Sequence, residues 1–464
     1  MLLALKTIYN ACNPAVPASS KYYVDCDEVR GEGGMIATFR AHLRQADSPL
    51  CFLFSGHLGS GKSSELIQLA HQLEVPPPPP GLPYLAIRMD ASPYLDVEDV
   101  GLEDIFLMII TEVWATFAAR LKMDLRGTPF ARALEEVSDL IKELQIDPEV
   151  SIGGSWGPIE AKLRLQRLRL DPTGRKKVRA ALSPRLPTLI EEINELLEAA
   201  RLLLLNRPLL PGETPFADFV LIIDNLEKIQ KFAAMTTSLA SYQSLFVDRA
   251  TQLTGLRAHV IYTAPLELVR SLLAPQLRNR YSGLYVLPMV KIQKRDGTPY
   301  PAGVACLRKL LARRLEIEPS ALSQVFAPEA LELLISKSGG HVRQLMSSVR
   351  ESCAHATDLP ISLQAARRAI RQMVSVYSTS IPESFWRKLA ELDLDPQQQI
   401  RNGDPDYLSM LHNLMLLEYV NGGDDEANWA AESGPWYALH PVVRLLPKFQ
   451  SALERVKQEQ VERG

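Results

Sequence analysis

Residues 50–74 read LCFLFSGHLGSGKSSELIQLAHQLE, an apolar run followed by a glycine-rich turn and a helical pattern. Within this stretch, Gly56–Ser63 (GHLGSGKS) fits the phosphate-binding pattern GxxxxGK[ST] without a mismatch. The pattern is informative when it lies between a strand and a helix, as it does here. A chance glycine turn is the alternative, and the agreement of both sequence and context argues against it. The stretch therefore predicts a phosphate-binding loop (P-loop).

Each part of this loop has a chemical task. The glycines let backbone N–H groups turn inward around phosphates, and the helix N-terminus adds the positive end of a dipole. The lysine reaches the β- and γ-phosphates, and the serine after it coordinates Mg²⁺. The predicted nucleotide-binding residues of the loop are Gly56, Gly59, Ser60, Gly61, Lys62, Ser63 and Ser64.

Phosphate chemistry also needs an acid that holds the magnesium ion, at the end of a buried strand beside the loop. The run Phe219–Asp224 (FVLIID) supplies Asp224 as its first polar residue. A strand that simply runs into a turn is the alternative. Glu227 follows three residues later and is the candidate that orients or deprotonates the attacking water. A solvated glutamate at a helix start is the competing interpretation of Glu227.

Four further apolar runs indicate the fold class. They cover residues 82–92, 218–224, 258–264 and 283–288. Helical patterns separate them, which predicts an α/β P-loop NTPase fold: a parallel sheet with helices on both faces. Residues 101–122 predict an amphipathic helix, and 124–212 form an insertion between the second and third strands. Within the insertion, IEAKLRLQRLRL (159–170) alternates as a strand does.

The patterning becomes helical after residue 300 and changes again near Ser378. Beyond that point, helices precede a glycine–asparagine turn and a strand-like WYALH at 436–440. Helices followed by a hairpin suggest a winged helix. We therefore predict three parts: a P-loop core at 1–300, a helical lid at 301–378 and a winged-helix-like domain at 379–464.

In their order along the chain, these motifs resemble those of the AAA+ and STAND ATPases. The resemblance covers about residues 20–375 and adds to the P-loop and the Asp224 strand the polar strand end at Thr263. It also includes Arg280 in LRNRYSG, before the fifth strand, and the lid segment SGGHVRQL at 338–345. A winged helix after the lid is common in both groups.

The resemblance implies roles for individual residues. Thr263 would be the sensor of the γ-phosphate, and Arg343 the lid arginine that contacts the nucleotide. Arg280, with Arg278 as the alternate, falls where AAA+ proteins place an arginine finger that acts on a neighbouring subunit. Arg30, followed by glycine, resembles the segment that flanks the adenine. For each arginine, an ordinary surface cation is the alternative.

The resemblance also implies a function, an ATP-binding switch that uses Mg²⁺. Asn225 stands where AAA+ proteins usually have glutamate, and Asp-Asn-Leu-Glu is closer to the STAND pattern, which suits slow hydrolysis. His341 stands where many STAND proteins carry proline. The implied partners are a protein effector acting in trans and further subunits of a homo-oligomer or hetero-complex, in bacterial signalling or antiviral defence. Two alternatives are a DNA-associated AAA+ loader or transposition regulator, and a nucleotide-dependent scaffold without useful turnover.

The insertion contains a basic segment, residues 162–185, where nine cations accompany Asp171 alone. The cations are Lys162, Arg164, Arg167, Arg169, Arg175, Lys176, Lys177, Arg179 and Arg185. Contact with nucleic-acid phosphates is one interpretation, docking to an acidic partner or neighbouring subunit is another, and a solvated face is the third. No aromatic residue is interleaved, so stacking on single-stranded bases has no support.

The whole chain of 464 residues carries a net charge of −3, which excludes a globally basic nucleic-acid coat. Residues 381–464 have a net charge of −6, and their candidate recognition helix, 404–420, contains no Lys or Arg. We expect that helix to pack on the ATPase or a protein partner rather than to read DNA. Five scattered cysteines and the lack of a signal peptide or membrane span predict a cytoplasmic protein with reduced thiols.

Overall fold

The sheet that carries the P-loop has five parallel strands, as the sequence predicts. They are β1 (Cys51–Gly56), β2 (Tyr84–Asp90), β3 (Asp218–Asp224), β4 (His259–Thr263) and β5 (Gly283–Leu287), in the spatial order β2-β3-β4-β1-β5. The computed structural model describes residues 4–31, 34–76, 81–95, 100–121, 127–133, 135, 158–207, 209, 213–228, 235–421 and 434–463. The register places Asp90 beside Asp224, so polar residues gather at one edge of the sheet.

Helices cover both faces of this sheet. The helices up to residue 280, of which α1 and α2 pack on the later helical region instead of the sheet, are α1 (Leu5–Ala11), α2 (Asp27–Arg30), α3 (Met35–Gln45), α4 (Lys62–Glu74), α5 (Leu102–Arg120), α6 (Pro158–Arg169), α7 (Pro172–Leu182), α8 (Leu186–Asn206), α9 (Met235–Gln243), α10 (Ala250–Thr254), α11 (Leu266–Val269) and α12 (Ala274–Arg280). Because side chains of a strand alternate, Leu53 joins the core around α5 and α8, while Phe52 and Phe54 pack with α3 and α4.

Helix α5 is more buried than the amphipathic pattern predicts. Residues 102–113 are all buried, including the acids Glu103, Asp104 and Glu112. The reason is the insertion, whose helices α6, α7 and α8 contribute to the same hydrophobic core as α5 and the sheet. The described part of the insertion is therefore a layer of the core.

The strand expected at 159–170 is wrong, because this segment is the helix α6. Its alternation is carried by leucine and arginine, which favour helices, and it lacks the β-branched and aromatic residues that favour strands. Leu165 and Leu168 lie three residues apart on one helical face and are buried there.

Residues 301–380 form a helical region of α13 (Pro301–Arg314), α14 (Leu322–Val325), α15 (Pro328–Ser338), α16 (Val342–His355) and α17 (Leu363–Ser380). Its core also takes in residues from the beginning of the chain. Ile8, Cys12 and Val24 are buried in the same cluster as Leu345 and Val349 of α16. The N-terminal residues therefore pack on the helical region.

The C-terminal region contains α18 (Phe385–Leu394), α19 (Pro405–His412), the antiparallel pair β6 (Leu416–Val420) and β7 (Pro435–Leu439), and α20 (Pro447–Arg463). The helix expected at 404–420 is wrong in its second half. The chain leaves the helix near Leu414, which has a positive φ of 56°, and the apolar run after it pairs with β7. Among the described residues, no helix combines the length and apolarity needed to cross a membrane.

Candidate nucleotide-binding site

The P-loop joins the end of β1 to the start of α4, and its backbone conformation explains its glycines. Gly56, Gly59 and Gly61 all have positive φ values. A Cβ on Gly56 would lie 2.7 Å from the carbonyl oxygen of Leu287, so no larger residue fits there without displacing β5. The helix begins at Lys62, which leaves the N–H groups of its first turn for a ligand.

Lys62 is buried and held by the loop that it serves. Its Nζ donates to the carbonyl oxygens of Gly56 at 2.8 Å and His57 at 3.0 Å. It also lies 3.1 Å from Oε1 of Glu227. The ammonium group is thus positioned at the loop, with Glu227 as its negative partner.

Asp224 and Ser63 form a pair of oxygen donors at the end of β3. The Ser63 hydroxyl hydrogen-bonds to the Asp224 carboxylate, whose Oδ1 also accepts from the Asn225 N–H at 2.8 Å. Oδ2 is buried and has no hydrogen-bond partner among the described residues. Burial and the nearby Glu227 raise the pKa of Asp224 to about 6, against the lowering effect of Ser63.

These two oxygen donors fit Mg²⁺. Among the described residues, no group of three or more His, Cys, Asp or Glu side chains forms a metal cage. Mg²⁺ needs none, because it is usually held by one or two protein oxygens together with water and substrate phosphates. The unpartnered oxygen of Asp224 beside a hydroxyl is the donor set expected for such an ion.

Glu227 lies on a 3₁₀ turn (Leu226–Lys228) directly after β3, and it is buried. Burial raises its pKa, but the Lys62 ammonium and the Thr263 hydroxyl outweigh this, so its pKa is below the ordinary value. Thr263 also accepts the Leu226 N–H through Oγ1 at 2.9 Å. The second carboxylate oxygen of Glu227, Oε2, has no partner among the described residues. Thr263 therefore fixes a carboxylate that retains a free oxygen.

Arg30 lies beneath the loop. Its Nη2 donates to the carbonyl oxygen of Ser60 at 2.9 Å, and its Nη1 donates to that of Pro288. The side chain is buried but still contributes to the wall of the cleft. Arg30 thus connects the P-loop to the end of β5.

The helical region contacts the outer side of the loop through the first turn of α16. His341 Nε2 is 2.8 Å from the carbonyl oxygen of Leu58, while its Nδ1 accepts the Gln344 N–H and caps the helix. The N–H of Arg343 donates to the carbonyl oxygen of Gly59 at 3.2 Å. The Arg343 side chain lines the cleft, and burial lowers its pKa despite the nearby Glu227.

The C-terminal region contacts the loop as well, through a residue that the sequence analysis did not single out. His57, the second residue of the P-loop, accepts the N–H of Glu418 on β6 at Nε2, at 2.9 Å, and is hydrogen-bonded to the backbone of Leu411. Burial lowers its pKa to about 3. The Glu418 carboxylate in turn binds Arg270 of the core, with Oε1 2.5 Å from Nη2. The histidine at a variable position of the GxxxxGK pattern was the sequence feature that could have pointed to this contact.

Most predicted site residues surround one cleft with about 1140 Å³ of empty space, part of it open to solvent. They are Arg30, Gly59, Gly61, Lys62, Ser63, Ser64, Asp224, Glu227 and Arg343. Gly56, Ser60 and Thr263 are buried behind this surface. Ser64 Oγ accepts the Ala18 N–H at 2.9 Å, which fastens the N-terminal residues to the cleft.

The cleft also contains residues that sequence reasoning missed. Asp90 ends β2 beside Asp224 and accepts from Asn225 Nδ2 at 2.8 Å, while Arg88 and Lys228 line the same side. Residues 14–18, 22–24 and 26, near the beginning of the chain, form another part of the wall. Asp90 was open to prediction, because ligands of parallel sheets bind outside the carboxyl ends of the strands. The N-terminal wall carries no comparable signal.

Arg280 and Arg278 lie apart from this cleft. Both are exposed in the last turn of α12, and neither lines the cleft of its own chain. That position is compatible with action on another molecule and rules out direct contact with nucleotide in the same cleft.

Much of the basic segment is engaged inside the protein. Lys162 pairs with Glu112 at 2.8 Å, and Arg179 with Asp104 at 2.5 Å. Arg169 donates to the carbonyl oxygen of Ser92, and Arg175 donates to that of Arg169. The exposed members are Arg167, Lys176, Lys177 and Arg185, and the side chain of Arg164 lies outside the described residues.

The sheet order, the P-loop and the acid at the end of β3 together define an α/β P-loop NTPase fold. No protein-family model matches the chain, and no curated protein matches its sequence.

Comparison with solved structures gives similarities at low sequence identity. The Walker-type ATPase of Pyrococcus abyssi is 12% identical with a TM-score of 0.44, over 93% of this chain and 98% of that one. The ORC1 protein of Aeropyrum pernix in complex with DNA is 13% identical with a TM-score of 0.36, over 96% of each chain. Drosophila ORC bound to DNA is 13% identical with a TM-score of 0.37, over 83% and 72%. At this level of similarity, none of the three says what this protein binds or does.

Proposed function

We propose that the protein is an ATP-binding and slowly hydrolysing molecular switch of the AAA+/STAND type. One observation carries this proposal: three consecutive residues of the P-loop are bonded to regions outside the sheet. His57 bonds to the C-terminal region, and the carbonyl oxygens of Leu58 and Gly59 bond to α16. A nucleotide that reshapes the loop therefore acts on both regions at once.

In this proposal each cleft residue has its own role in nucleotide binding or hydrolysis. The loop N–H groups and Lys62 bind the phosphates, and Arg343 contacts the nucleotide from α16. Ser63 and Asp224 hold Mg²⁺, which supplies a Lewis acid that neutralises phosphate charge. Glu227 orients the attacking water through its free oxygen, and Thr263 positions Glu227 and senses the γ-phosphate. Arg30 braces the loop on the adenine side.

The Lys62–Glu227 ion pair gives the site a resting arrangement. The lysine faces a carboxylate 3.1 Å away. A triphosphate carries more negative charge than one carboxylate, so it draws the ammonium away from Glu227. Glu227 then loses its cationic partner and gains proton affinity, as a general base requires. Turnover is thereby coupled to phosphate binding.

The domain assignment completes the switch. Residues 301–378 serve as the lid and 379–464 as a winged-helix-like domain, with ATP favouring one arrangement of the two and hydrolysis releasing it. We place the switch in the cytoplasm, in bacterial signalling or antiviral defence, with a protein effector in trans.

Arg280 serves a neighbouring subunit, so Arg280→Ala should lower phosphate release in an assembled particle and leave the monomer unchanged.

Hydrogen–deuterium exchange tests the switch at the hydrogen bond between the Glu418 N–H and His57. With a saturating non-hydrolysable ATP analogue and Mg²⁺, we expect faster exchange in residues 416–420, because the Glu418 N–H loses His57 as its acceptor. Lys62→Ala serves as the control and should show no nucleotide response. Equal exchange with and without nucleotide in the wild type would contradict the coupling.

Glu227→Gln tests turnover separately. We expect it to keep ATP binding and to lower phosphate release by on the order of 100-fold, the scale of a lost general base. Glu332→Gln, on the exposed side of α15, is the matched control. Undiminished release would show that another group positions the water. An exchange response without any phosphate release in the wild type would favour the scaffold alternative.

The DNA-associated alternative has one observation in its favour. Lys176 and Lys177 are exposed neighbours on α7, with Arg167 and Arg185 exposed on the same insertion. Such cations bind duplex phosphates in a salt-dependent manner. Several other cations of the segment are bonded within the fold, so the switch remains the better-supported function.

A further inference from the structure

Two cysteines meet beside the N-terminal residues that line the cleft. Cys26, just before α2, and Cys306, on α13, have their sulfur atoms 3.0 Å apart. Both are free thiols, although 279 residues separate them in sequence. Cys26 is buried and lines the cleft, whereas Cys306 is partly exposed. The pair thus spans from solvent to the candidate nucleotide site.

The electrostatic surroundings give the two thiols different reactivities. The hydrogen bond from Cys26, together with Arg30 and Lys309, lowers the pKa of Cys306. The same hydrogen bond and burial raise the pKa of Cys26. Thiolates rather than thiols attack oxidants, so the accessible Cys306 is the residue that reacts first.

We propose that Cys26 and Cys306 are a redox-active pair that a peroxide converts into a disulfide, fastening the N-terminal wall of the cleft to α13. The Cys306 thiolate attacks one peroxide oxygen, breaking the O–O bond and forming a sulfenic acid and one water. The Cys26 sulfur then attacks Sγ of Cys306 and releases the second oxygen as water. Two thiols and one hydrogen peroxide therefore give one disulfide and two waters.

The geometry favours closure of this bond. A disulfide has its sulfur atoms about 2.05 Å apart, so the two sulfurs need to approach by only about 1 Å. The backbone already brings the elements together, since the Cys306 thiol lies 3.9 Å from the carbonyl oxygen of Asp25. The two sulfur atoms are therefore already close to bonding distance.

A disulfide here also reaches the P-loop. The carbonyl oxygen of Cys26 accepts the Arg30 N–H at 3.0 Å, and the Arg30 guanidinium donates to the Ser60 carbonyl oxygen. Tyr22 and Tyr23 lie in the same wall. Fixing that wall to α13 removes a motion by which a nucleotide leaves, so we expect slower release. This consequence rests on the proposed nucleotide site, whereas formation of the disulfide does not.

The other three cysteines are internal controls. Burial raises the pKa of Cys12 to about 12 and that of Cys353 to about 11, and it raises the pKa of Cys51 as well. Peroxide at neutral pH should leave these thiols unmodified. They also report unfolding, because they become reactive if the protein opens.

The experiment treats the full chain with hydrogen peroxide and maps its peptides by mass spectrometry. We expect a loss of two hydrogen atoms in mass, a Cys26–Cys306 cross-link and reversal by dithiothreitol. Dissociation of a fluorescent ATP analogue should slow by on the order of threefold in the oxidised protein, as for a rigidified site. Cys306→Ser should abolish both effects, and Cys353→Ser should retain both.

The possible results distinguish disulfide formation from its effect on nucleotide release and from the proposed nucleotide site. Oxidation of Cys306 to a sulfinic acid without a cross-link would overturn the proposal. A cross-link that leaves the release rate unchanged would support the disulfide and overturn its expected effect on nucleotide release. If Cys306→Ser fails to fold, reduction of the oxidised wild type supplies the same comparison. A reversible cross-link in a protein that binds no ATP analogue in either state would support the disulfide and reject the proposed function.

Discussion

The P-loop and the basic segment 162–185 differ in what their cations contact. In the P-loop, Lys62 is paired with Glu227 but still lines an open cleft, where α4 begins. In the basic segment, Lys162 and Arg179 turn inward to the acids of α5. The first arrangement keeps charge available for a ligand, whereas the second uses charge to bury an acidic helix.

The cause of the difference lies in what stands opposite each region. Glu103, Asp104 and Glu112 are buried on α5, and ionised carboxylates in a core need partners. The insertion supplies those partners along with the leucines that cover the helix. A positive cluster is therefore evidence for an external polyanion only after the internal anions have been matched to it.

Lys62→Ala should give the largest effect on the P-loop side. We expect ATP affinity to fall by on the order of 100-fold or more, because a charged hydrogen-bond donor to the phosphates is lost. Isothermal titration calorimetry measures this loss. Lys228→Ala, at the mouth of the same cleft, is the control and should cost far less.

The Lys62 variant also leaves Glu227 buried without a cation. The double variant Lys62→Ala/Glu227→Gln removes that unpaired charge and should still fail to bind ATP. Wild-type affinity in a folded Lys62→Ala protein would place the phosphates elsewhere and remove the contrast between the two regions.

Arg179→Met tests whether the inward ion pair of the basic segment stabilises the fold. It leaves Asp104 buried beside α7, so we expect a loss of about 3 kcal/mol in the free energy of unfolding, as for a broken buried ion pair. Lys177→Met, exposed two residues earlier, should change stability by less than about 0.5 kcal/mol. Urea unfolding measures both values.

The double variant Asp104→Asn/Arg179→Met sharpens this test, because it removes the unpaired acid and should recover part of the loss. Equal stability of the Arg179 and Lys177 variants would mean that the inward ion pair contributes nothing. The charge cluster would then need another explanation.

The two regions also show what a local stretch of sequence can predict and what it cannot. The P-loop is specified by consecutive residues, so Lys62, Ser63 and the start of α4 are predictable locally. The partners of Arg179 and Lys162 lie 75 and 50 residues away in sequence. The prediction of a strand at 159–170 was wrong for a related reason. Alternating leucine and arginine are compatible with a strand or a helix, and the surface that packs against the segment decides between them.

The same limit applies within the P-loop. The chain order predicted the cleft residues, but nothing local indicated that His57 bonds to residue 418, 361 positions later. The N-terminal wall of the cleft is equally non-local. Sequence thus predicted most residues that line the cleft and missed the contacts that connect the P-loop to the rest of the molecule.

Acid should weaken those connecting contacts. Burial lowers the pKa values of His57 and His341 to about 3, from an ordinary 6.5. Below pH 6.5 the unfolded chain binds protons that the native state excludes, so stability falls as the pH falls. Between pH 7 and pH 5 the loss is about 2 kcal/mol per histidine.

Urea unfolding of His57→Asn at the two pH values checks this assignment. The variant should lose less stability than the wild type between pH 7 and pH 5, by about 2 kcal/mol. His71→Asn, an exposed substitution on α4, is the matched control. Parallel behaviour of the His57 variant and the wild type would show that His57 titrates normally and that the loop is not sealed by the C-terminal region.

Lys176→Gln/Lys177→Gln should give the smallest effect. Their side chains are exposed on α7, so the fold does not depend on them, and we expect stability to change by less than about 0.5 kcal/mol. If they contact duplex phosphates, removing both should reduce the salt slope of DNA binding by about 2. We expect an unchanged slope, measured by fluorescence anisotropy over a salt series, because four cations of the segment are already bonded inside the protein. A slope reduced by that amount would make the exposed remainder of the basic segment a nucleic-acid contact, and the two regions would then both face external phosphates.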